Sequence, residues 1–136
     1  MILYGDASAL VKRYLVEVHS ERVRAWVGLA ERVASSRVAY VEVGRAVGIS
    51  GAPDLRTRQA RFDADWQLMW VIDCGPAVSE TAARLATAHR LRSLDAIHLA
   101  SALSIRAADL YVATFDERLW RAARDVGLNT FPESWP

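Results

Sequence analysis

Apolar residues are arranged in two patterns along the chain. Short apolar runs are typical of buried strands, and segments with apolar positions three or four residues apart are typical of helices that bury one face. The runs predict strands at about residues 2–4, 33–34, 68–72 and 110–113, and we expect a last strand at residues 129–131, before the C-terminal tail. The periodic segments predict helices at about residues 9–15, 20–31, 37–47, 54–65, 77–90, 93–107 and 119–126. Because strands alternate with helices, we predict a single α/β domain over residues 1–136, with a mostly parallel central sheet flanked by helices on both faces.

The segment from Arg92 to Leu103 has apolar residues on nearly every side of its predicted helix, yet it contains Asp95. A helix that is apolar all round belongs in a core, where a carboxylate is rarely buried without a partner. We expect Ser93 to be the N-cap of this helix and Asp95 to be its second residue, N2. Glu42 interrupts another mostly apolar helix in the same way.

Two further acids, Asp6 and Asp116, directly follow predicted strands. Ligands of open parallel sheets bind beyond the carboxyl ends of the strands, so this topology allows Asp6, Asp116, Asp95 and Glu42 to share one pocket. Two carboxylates about 4 Å apart repel by roughly 4 kcal/mol at an effective dielectric constant of 20, so such a pocket needs cations. Oxygen ligands without a His or Cys cluster favour Mg²⁺ or Mn²⁺ over zinc. The pattern therefore predicts a phosphodiester hydrolase in which the metal activates water.

Each acid also fits a simpler structural role. An aspartate at a helix start can serve as an N-cap or interact with the helix dipole, and Glu42 is spaced to pair with Arg45. His98 lies one turn after Asp95, and we expect it to be a hydrogen-bonded core histidine. Lys12 and Arg13 follow Asp6 by about one turn and are our first candidates for contacts to a substrate phosphate.

Composition narrows the possible functions. The formal net charge of +1 is much lower than that of a typical domain that binds nucleic acid through charge alone. No apolar run approaches the length of a membrane span, and the first residues lack the basic segment of an export signal. Cys74 is the only cysteine, which excludes an intrachain disulfide. We therefore expect a cytoplasmic protein with no membrane association.

Four segments of the chain resemble the signature blocks of PIN-domain nucleases, and they are most similar to VapC-type toxins of prokaryotic toxin–antitoxin pairs. The segments are residues 2–12 (ILYGDASALVK), 36–43 (SRVAYVEV), 94–102 (LDAIHLASA) and 112–119 (VATFDERL). The resemblance implies a metal-dependent endoribonuclease that uses Mg²⁺ or Mn²⁺. It assigns the catalytic and metal-binding roles to Asp6, Glu42, Asp95 and Asp116, with Ser8 and Thr114 at the accompanying hydroxyl positions.

The resemblance also implies partners. These are RNA substrates, structured or single-stranded, such as transfer RNA; a small cognate antitoxin; and a second copy in a homodimer, or a hetero-oligomer with the antitoxin. Residues 48–66 match no family motif, so substrate choice stays open there. We expect Arg56, Arg58 and Arg61 on the solvated face of a surface helix, and the sequence leaves open whether they contact RNA, antitoxin or only solvent.

Two other functions are compatible with an acidic pocket. An aspartate after the first strand of an α/β sheet can be the nucleophile of a phosphotransferase. Such enzymes usually have a second aspartate two residues later, where this chain has Ser8, and a later lysine, whereas Lys12 is the only lysine. A non-enzymatic module could instead dock a basic peptide in the pocket.

Overall fold

The five strands form one sheet in which every neighbouring pair is parallel. The computed structural model describes all residues, 1–136. The strands are β1 (Ile2–Gly5), β2 (Arg32–Ser36), β3 (Trp70–Ile72), β4 (Leu110–Ala113) and β5 (Asn129–Phe131). The helices are α1 (Ala7–Leu10), α2 (Ser20–Leu29), α3 (Val38–Gly48), α4 (Leu55–Trp66), α5 (Pro76–His89), α6 (Ser93–Ser104) and α7 (Glu117–Asp125), with a 3₁₀ helix at Val11–Arg13. None of these helices has both the length and the apolar character needed to cross a membrane.

Helices cover both faces of the sheet, as predicted. On β1, Tyr4 points to one face and packs with residues of α5, α6 and α7. Leu3 points to the other face and packs with Ala9 of α1 and Trp26 of α2. A third cluster joins α1 and the 3₁₀ helix to α3 and α4. Both faces of the sheet are therefore buried, which is why the central strands β1 and β4 are apolar runs rather than alternating patterns.

The strand order β3-β2-β1-β4-β5 creates a switch point between β1 and β4. From β1 the chain moves outward to β2 and β3, and it then returns to place β4 on the other side of β1. The connections before β3 lie on one face of the sheet, and those after β3 lie on the other. A crevice at the carboxyl ends of the strands is expected where the order reverses. Asp6 and Thr114, which directly follow β1 and β4, stand at this point.

Two predicted elements differ from the structure. The expected buried strand at residues 68–72 is shorter, because Leu68 lies in a turn and is 85% exposed. The remaining strand, β3, is at the edge of the sheet, so Trp70 is exposed and only Ile72 is buried. The predicted helix at 9–15 consists of the four-residue α1 and a 3₁₀ helix.

The start of α6 also differs from the prediction. Arg92, and not Ser93, is the N-cap residue, and Ser93 is the first helical residue. Arg92 has the extended backbone (φ −64°, ψ 155°) that an N-cap position requires, so the helix begins one residue earlier than expected. Asp95 is therefore the third helical residue, N3, and not N2.

Helix α4 is more deeply packed than its Arg-rich sequence suggested. Phe62 and Trp66 are buried against Tyr14, while Arg56 is exposed as expected. Arg58 has a structural role, because its guanidinium donates hydrogen bonds to the backbone oxygens of Tyr14 (2.6 Å) and Pro53 (2.9 Å). Arg61 is exposed, in agreement with the prediction.

We expect Phe62→Ala to lower the free energy of unfolding by about 3–5 kcal/mol, the range for removing a fully buried phenylalanine. Phe62 is 0% exposed and contacts the rings of Tyr14, Tyr40 and Trp66. Arg56→Ala, on the exposed face of the same helix, is the matched control and should change stability by less than about 0.5 kcal/mol. Urea unfolding measures both, and similar losses in the two variants would contradict the observed packing of α4.

Candidate functional site

Asp6 is a buried carboxylate at the end of β1, only 3% exposed. It is the N-cap residue of α1, and its Oδ1 atom accepts hydrogen bonds from the Ala9 backbone N–H (3.0 Å) and the Ser8 hydroxyl (2.7 Å). Its Oδ2 atom accepts a hydrogen bond from the Thr114 hydroxyl (2.6 Å), which lies at the end of β4. The carboxylate therefore joins the two strands at the switch point.

The two hydroxyls that hold Asp6 are themselves fixed by the backbone after β4. The Ser8 oxygen accepts a hydrogen bond from the Phe115 N–H (2.8 Å), and the Thr114 oxygen accepts one from the Asp116 N–H (3.0 Å). Each hydroxyl thus donates to Asp6 and accepts from the backbone. Ser8 and Thr114 stand where the sequence placed them, as orienting groups for the acid.

Burial raises the pKa of Asp6 above its ordinary value. The nearby imidazole of His98 and the hydrogen bonds from Thr114, Ser8 and Ala9 lower the pKa of Asp6, but burial has the larger effect. No lysine or arginine forms an ion pair with Asp6. The ionised form of Asp6 therefore lacks a full compensating charge within the chain.

Asp95 and Asp116 share one guanidinium. Arg92 Nε donates a hydrogen bond to Asp95 Oδ2 (2.8 Å), and Arg92 Nη2 donates one to Asp116 Oδ2 (2.9 Å). Asp116 is also the N-cap residue of α7, because its Oδ1 atom accepts a hydrogen bond from the Leu119 N–H (2.9 Å). The arginine side chain is 71% exposed, so this bridge lies at the mouth of the site.

Glu42 is tied to the core by a histidine. Glu42 Oε1 lies 2.7 Å from His98 Nε2, and His98 Nδ1 lies 2.8 Å from the Tyr4 hydroxyl. Because a carboxylate only accepts, Nε2 carries the hydrogen in this contact. Burial holds the pKa of Tyr4 well above its ordinary value, so its hydroxyl stays protonated. His98 is buried and hydrogen-bonded as predicted, and Glu42 pairs with it rather than with Arg45.

The four acids lie at the carboxyl ends of the parallel strands, and their charges act on shared neighbours. Hydrogen bonding to Asp95 and the charges of Asp95, Asp116 and Glu42 raise the pKa of Arg92. His98, which contacts Glu42, also acts on Asp6. The topology thus brings together residues that are far apart in sequence.

The donor chemistry of this site fits a hard divalent cation. The four acids provide only oxygen ligands, with hydroxyls beside them, which suits Mg²⁺ or Mn²⁺ better than zinc. Asp6 also has a buried carboxylate without a cationic side chain to neutralise it. In the present side-chain arrangement, no three His, Cys, Asp or Glu residues stand close enough together to hold a metal ion. Arg92 supplies the positive charge between Asp95 and Asp116 instead.

The two basic residues after α1 are committed to other partners. Lys12 pairs with Glu17 (2.9 Å), and its ammonium lies 5.0 Å from the centre of the Phe115 ring, close to the site. Arg13 points away and pairs with Asp65 of α4 (3.2 Å). Lys12 therefore remains near the acids, whereas Arg13 fastens α4 to the 3₁₀ helix. The only lysine does not contact Asp6, which disfavours the phosphotransferase alternative.

Sequence reasoning did not identify Arg92 as a site residue. One signal was available, because Arg92 precedes Asp95 by three residues, the spacing of a pair on one helix turn. Its second partner, Asp116, is 24 residues away and became visible only in the structure.

The α/β fold, with four acids at the carboxyl ends of its parallel strands, is that of a PIN domain. A family model described as PIN domain matches residues 3–125. Ribonuclease VapC45 of Mycobacterium tuberculosis (strain CDC 1551 / Oshkosh) is 37% identical, over 96% of this chain and 95% of the relative. The chain therefore belongs to the PIN-domain family and, within it, to the family of the VapC ribonucleases.

Solved structures show the same fold. FitAB bound to an IR36 DNA fragment superposes with a TM-score of 0.75 at 20% identity, over 100% of this chain and 98% of that chain. VapC20 of Mycobacterium tuberculosis, described as a sarcin-ricin loop cleaving toxin, superposes with a TM-score of 0.73 at 14% identity, over 98% and 99% of the two chains. The predicted fold class and family are thus confirmed.

We expect Asp6→Asn to raise the melting temperature at pH 7 without added metal. The folded-state pKa of Asp6 is raised, so its contribution to stability is complete below its unfolded-state pKa and is lost as the pH rises through the folded-state value. A neutral amide avoids this loss.

The advantage of Asp6→Asn should therefore shrink as the pH is lowered and Asp6 becomes protonated. Asp109→Asn is the control and should show no such trend, because Asp109 is an exposed acid at the amino end of β4, away from the site. Thermal unfolding between pH 4 and pH 8 checks both variants, and a variant at position 6 that is less stable at pH 7 would contradict the charge argument.

Proposed function

We propose that this protein is a metal-dependent endoribonuclease and the toxin of a toxin–antitoxin pair. The observation that carries the proposal is the placement of Asp6, Glu42, Asp95 and Asp116 at the switch-point edge of a PIN domain. The names of its relatives support ribonuclease activity, since VapC45, VapC49 and VapC47 are all called ribonucleases. The proposed substrates are structured or single-stranded RNAs, including transfer RNA.

The residues have separable roles in this proposal. Asp6, Glu42, Asp95 and Asp116 would hold Mg²⁺ or Mn²⁺. When bound, the cation supplies Lewis acidity and lowers the pKa of a water molecule for attack on phosphorus. Ser8 and Thr114 orient the carboxylate of Asp6 through their hydroxyls. His98 fixes Oε1 of Glu42 and leaves Oε2 free of hydrogen bonds within the chain.

Purified protein should cleave end-labelled RNA in Mn²⁺ or Mg²⁺ and not in excess EDTA. Asp6→Ala and Asp95→Asn should each lower the rate by about 100-fold or more, the effect typical of removing a charged group from a preorganised active site. Asp109→Ala, at the amino end of β4 and thus at the end of the sheet away from the four acids, is the matched control and should retain activity. The RNA panel should include transfer RNAs and a ribosomal hairpin.

Two outcomes of that experiment would contradict the proposal. Undiminished cleavage in EDTA would exclude the metal, and full activity of Asp95→Asn would exclude the acidic site. An absence of cleavage across the whole panel, together with binding of a basic peptide to the acidic pocket, would favour the non-enzymatic module.

The proposed partners are a small antitoxin and a second copy of the chain. Solved structures of similar fold include VapBC and FitAB complexes, which supports an antitoxin partner. The surface also has apolar side chains that a partner would cover. Val16 is 85% exposed and Ile49 is 67% exposed, and both line a groove of about 590 Å³ between the 3₁₀ helix, α3 and the start of α4.

Co-expression with the antitoxin of the proposed pair should yield a stable complex with suppressed RNA cleavage. Ile49→Asp should weaken this complex at least tenfold, because it replaces an exposed apolar side chain of the groove with a charged one, while cleavage by the free toxin is unchanged. Leu29→Asp, 69% exposed and outside the groove, is the control. Light scattering measures the assembly, and the free chain should give twice its 15.1 kDa. An intact complex with Ile49→Asp would exclude this groove as the antitoxin site.

A further inference from the structure

Arg92 is the only lysine or arginine that forms an ion pair with any of the four acids. The side chains in its two ion pairs differ in solvent exposure. Asp95 and Asp116 are largely covered, with side chains 12% and 24% exposed, whereas the Arg92 side chain is 71% exposed. The guanidinium therefore reaches inward from solvent to two acids that are fixed at helix starts.

Arg92 contacts one oxygen atom of each acid, Asp95 Oδ2 and Asp116 Oδ2, and its positive charge lies where a bound cation would neutralise both. Asp116 Oδ1 is used as the N-cap of α7, which leaves Oδ2 as its outward ligand, and Arg92 takes that atom. Asp95 Oδ2 is taken by the same side chain. A divalent ion and the guanidinium therefore compete for Asp95 and Asp116.

We propose that Arg92 exchanges partners during function. In the metal-free protein it holds Asp95 and Asp116 together as an internal counter-ion, and on metal binding it is released to bind a backbone phosphate of the RNA. This inference rests on the proposed nuclease function and adds a substrate-positioning residue to it. A guanidinium suits both partners, because its planar fork matches carboxylate and phosphate oxygens alike.

Exposure is what makes the exchange feasible. An exposed ion pair is weak, because water and salt screen it, whereas a buried pair that loses one partner leaves an uncompensated charge. His98, by contrast, is 1% exposed and is held on both sides by Tyr4 and Glu42. Among the groups bound to the four acids, Arg92 is therefore the one that can leave without exposing core residues.

The test is a Mn²⁺ titration of the full chain without RNA. Binding is measured by calorimetry and by the rise in melting temperature that the metal causes. Arg92→Gln should bind Mn²⁺ about two- to thirtyfold more tightly than the unmodified protein, the range expected from the loss of two exposed ion pairs. Arg92→Lys keeps the charge but cannot bridge both acids as a planar fork, and should lie between the two.

Arg37→Gln is the matched control. Arg37 is likewise an exposed N-cap residue, of α3, and it pairs with an aspartate outside the quartet, Asp73. Its Mn²⁺ affinity should be unchanged. The melting temperature of each variant before metal is added verifies folding, and Arg92→Lys keeps the test valid if Arg92→Gln does not fold.

The phosphate contact has its own measurement. At saturating Mn²⁺, Arg92→Gln should raise KM for RNA about tenfold and change kcat by less than about threefold, because it removes a contact made to the bound substrate throughout the reaction. An unchanged KM would overturn this half of the proposal.

The outcomes separate this inference from the proposed function. If the unmodified protein binds Mn²⁺ and cleaves RNA but Arg92→Gln binds the ion equally or less tightly, Arg92 is not a competing cation and only this inference fails. If neither protein binds Mn²⁺, the metal-dependent function fails, and the exchange fails with it.

Discussion

The buried carboxylate of Asp6 is the constraint on which the rest of the site depends. A carboxylate without a full counter-charge is costly to bury, and here three hydrogen bonds offset only part of that cost. The same bonds connect β1 to the backbone after β4, so Thr114 both donates a hydrogen bond to Asp6 and links the two strands. The ionised carboxylate therefore costs the chain stability, and a cation beside it would offset that cost.

The remaining acids are held by two different kinds of partner, and the difference follows from how deeply each partner is buried. Glu42 is bound by His98, which is itself anchored to Tyr4 in the core, so that part of the site is rigid. Asp95 and Asp116 are bound from solvent by Arg92. The interior contacts preserve geometry, whereas the contact at the mouth can be replaced by a ligand. In the proposed nuclease, this division would let the mouth of the site admit a cation and a polyanion while its interior keeps its geometry.

The sequence predicted the sheet and its helices, and it singled out the four acids because Asp6 and Asp116 directly follow apolar runs while Asp95 and Glu42 interrupt apolar helices. It failed where tertiary position decides the outcome. Leu68 has the composition of a buried strand but lies in a turn next to an edge strand. The bonds of His98 to Tyr4 and of Arg92 to Asp116 span 94 and 24 residues, and periodicity carries no information about such partners. The proposed roles of the acids in metal binding and catalysis remain predictions.

Residues 48–66, which match no family motif, still contribute to the site through packing. Residue Asp65 of α4 accepts a hydrogen bond from the Tyr14 hydroxyl (2.8 Å) and pairs with Arg13. Arg58 of the same helix holds the backbone oxygen of Tyr14. These contacts fix the end of the 3₁₀ helix that continues from α1, whose N-cap is Asp6. Because α1 has only four residues and little stability of its own, the position of Asp6 depends on α4 as well as on the sheet.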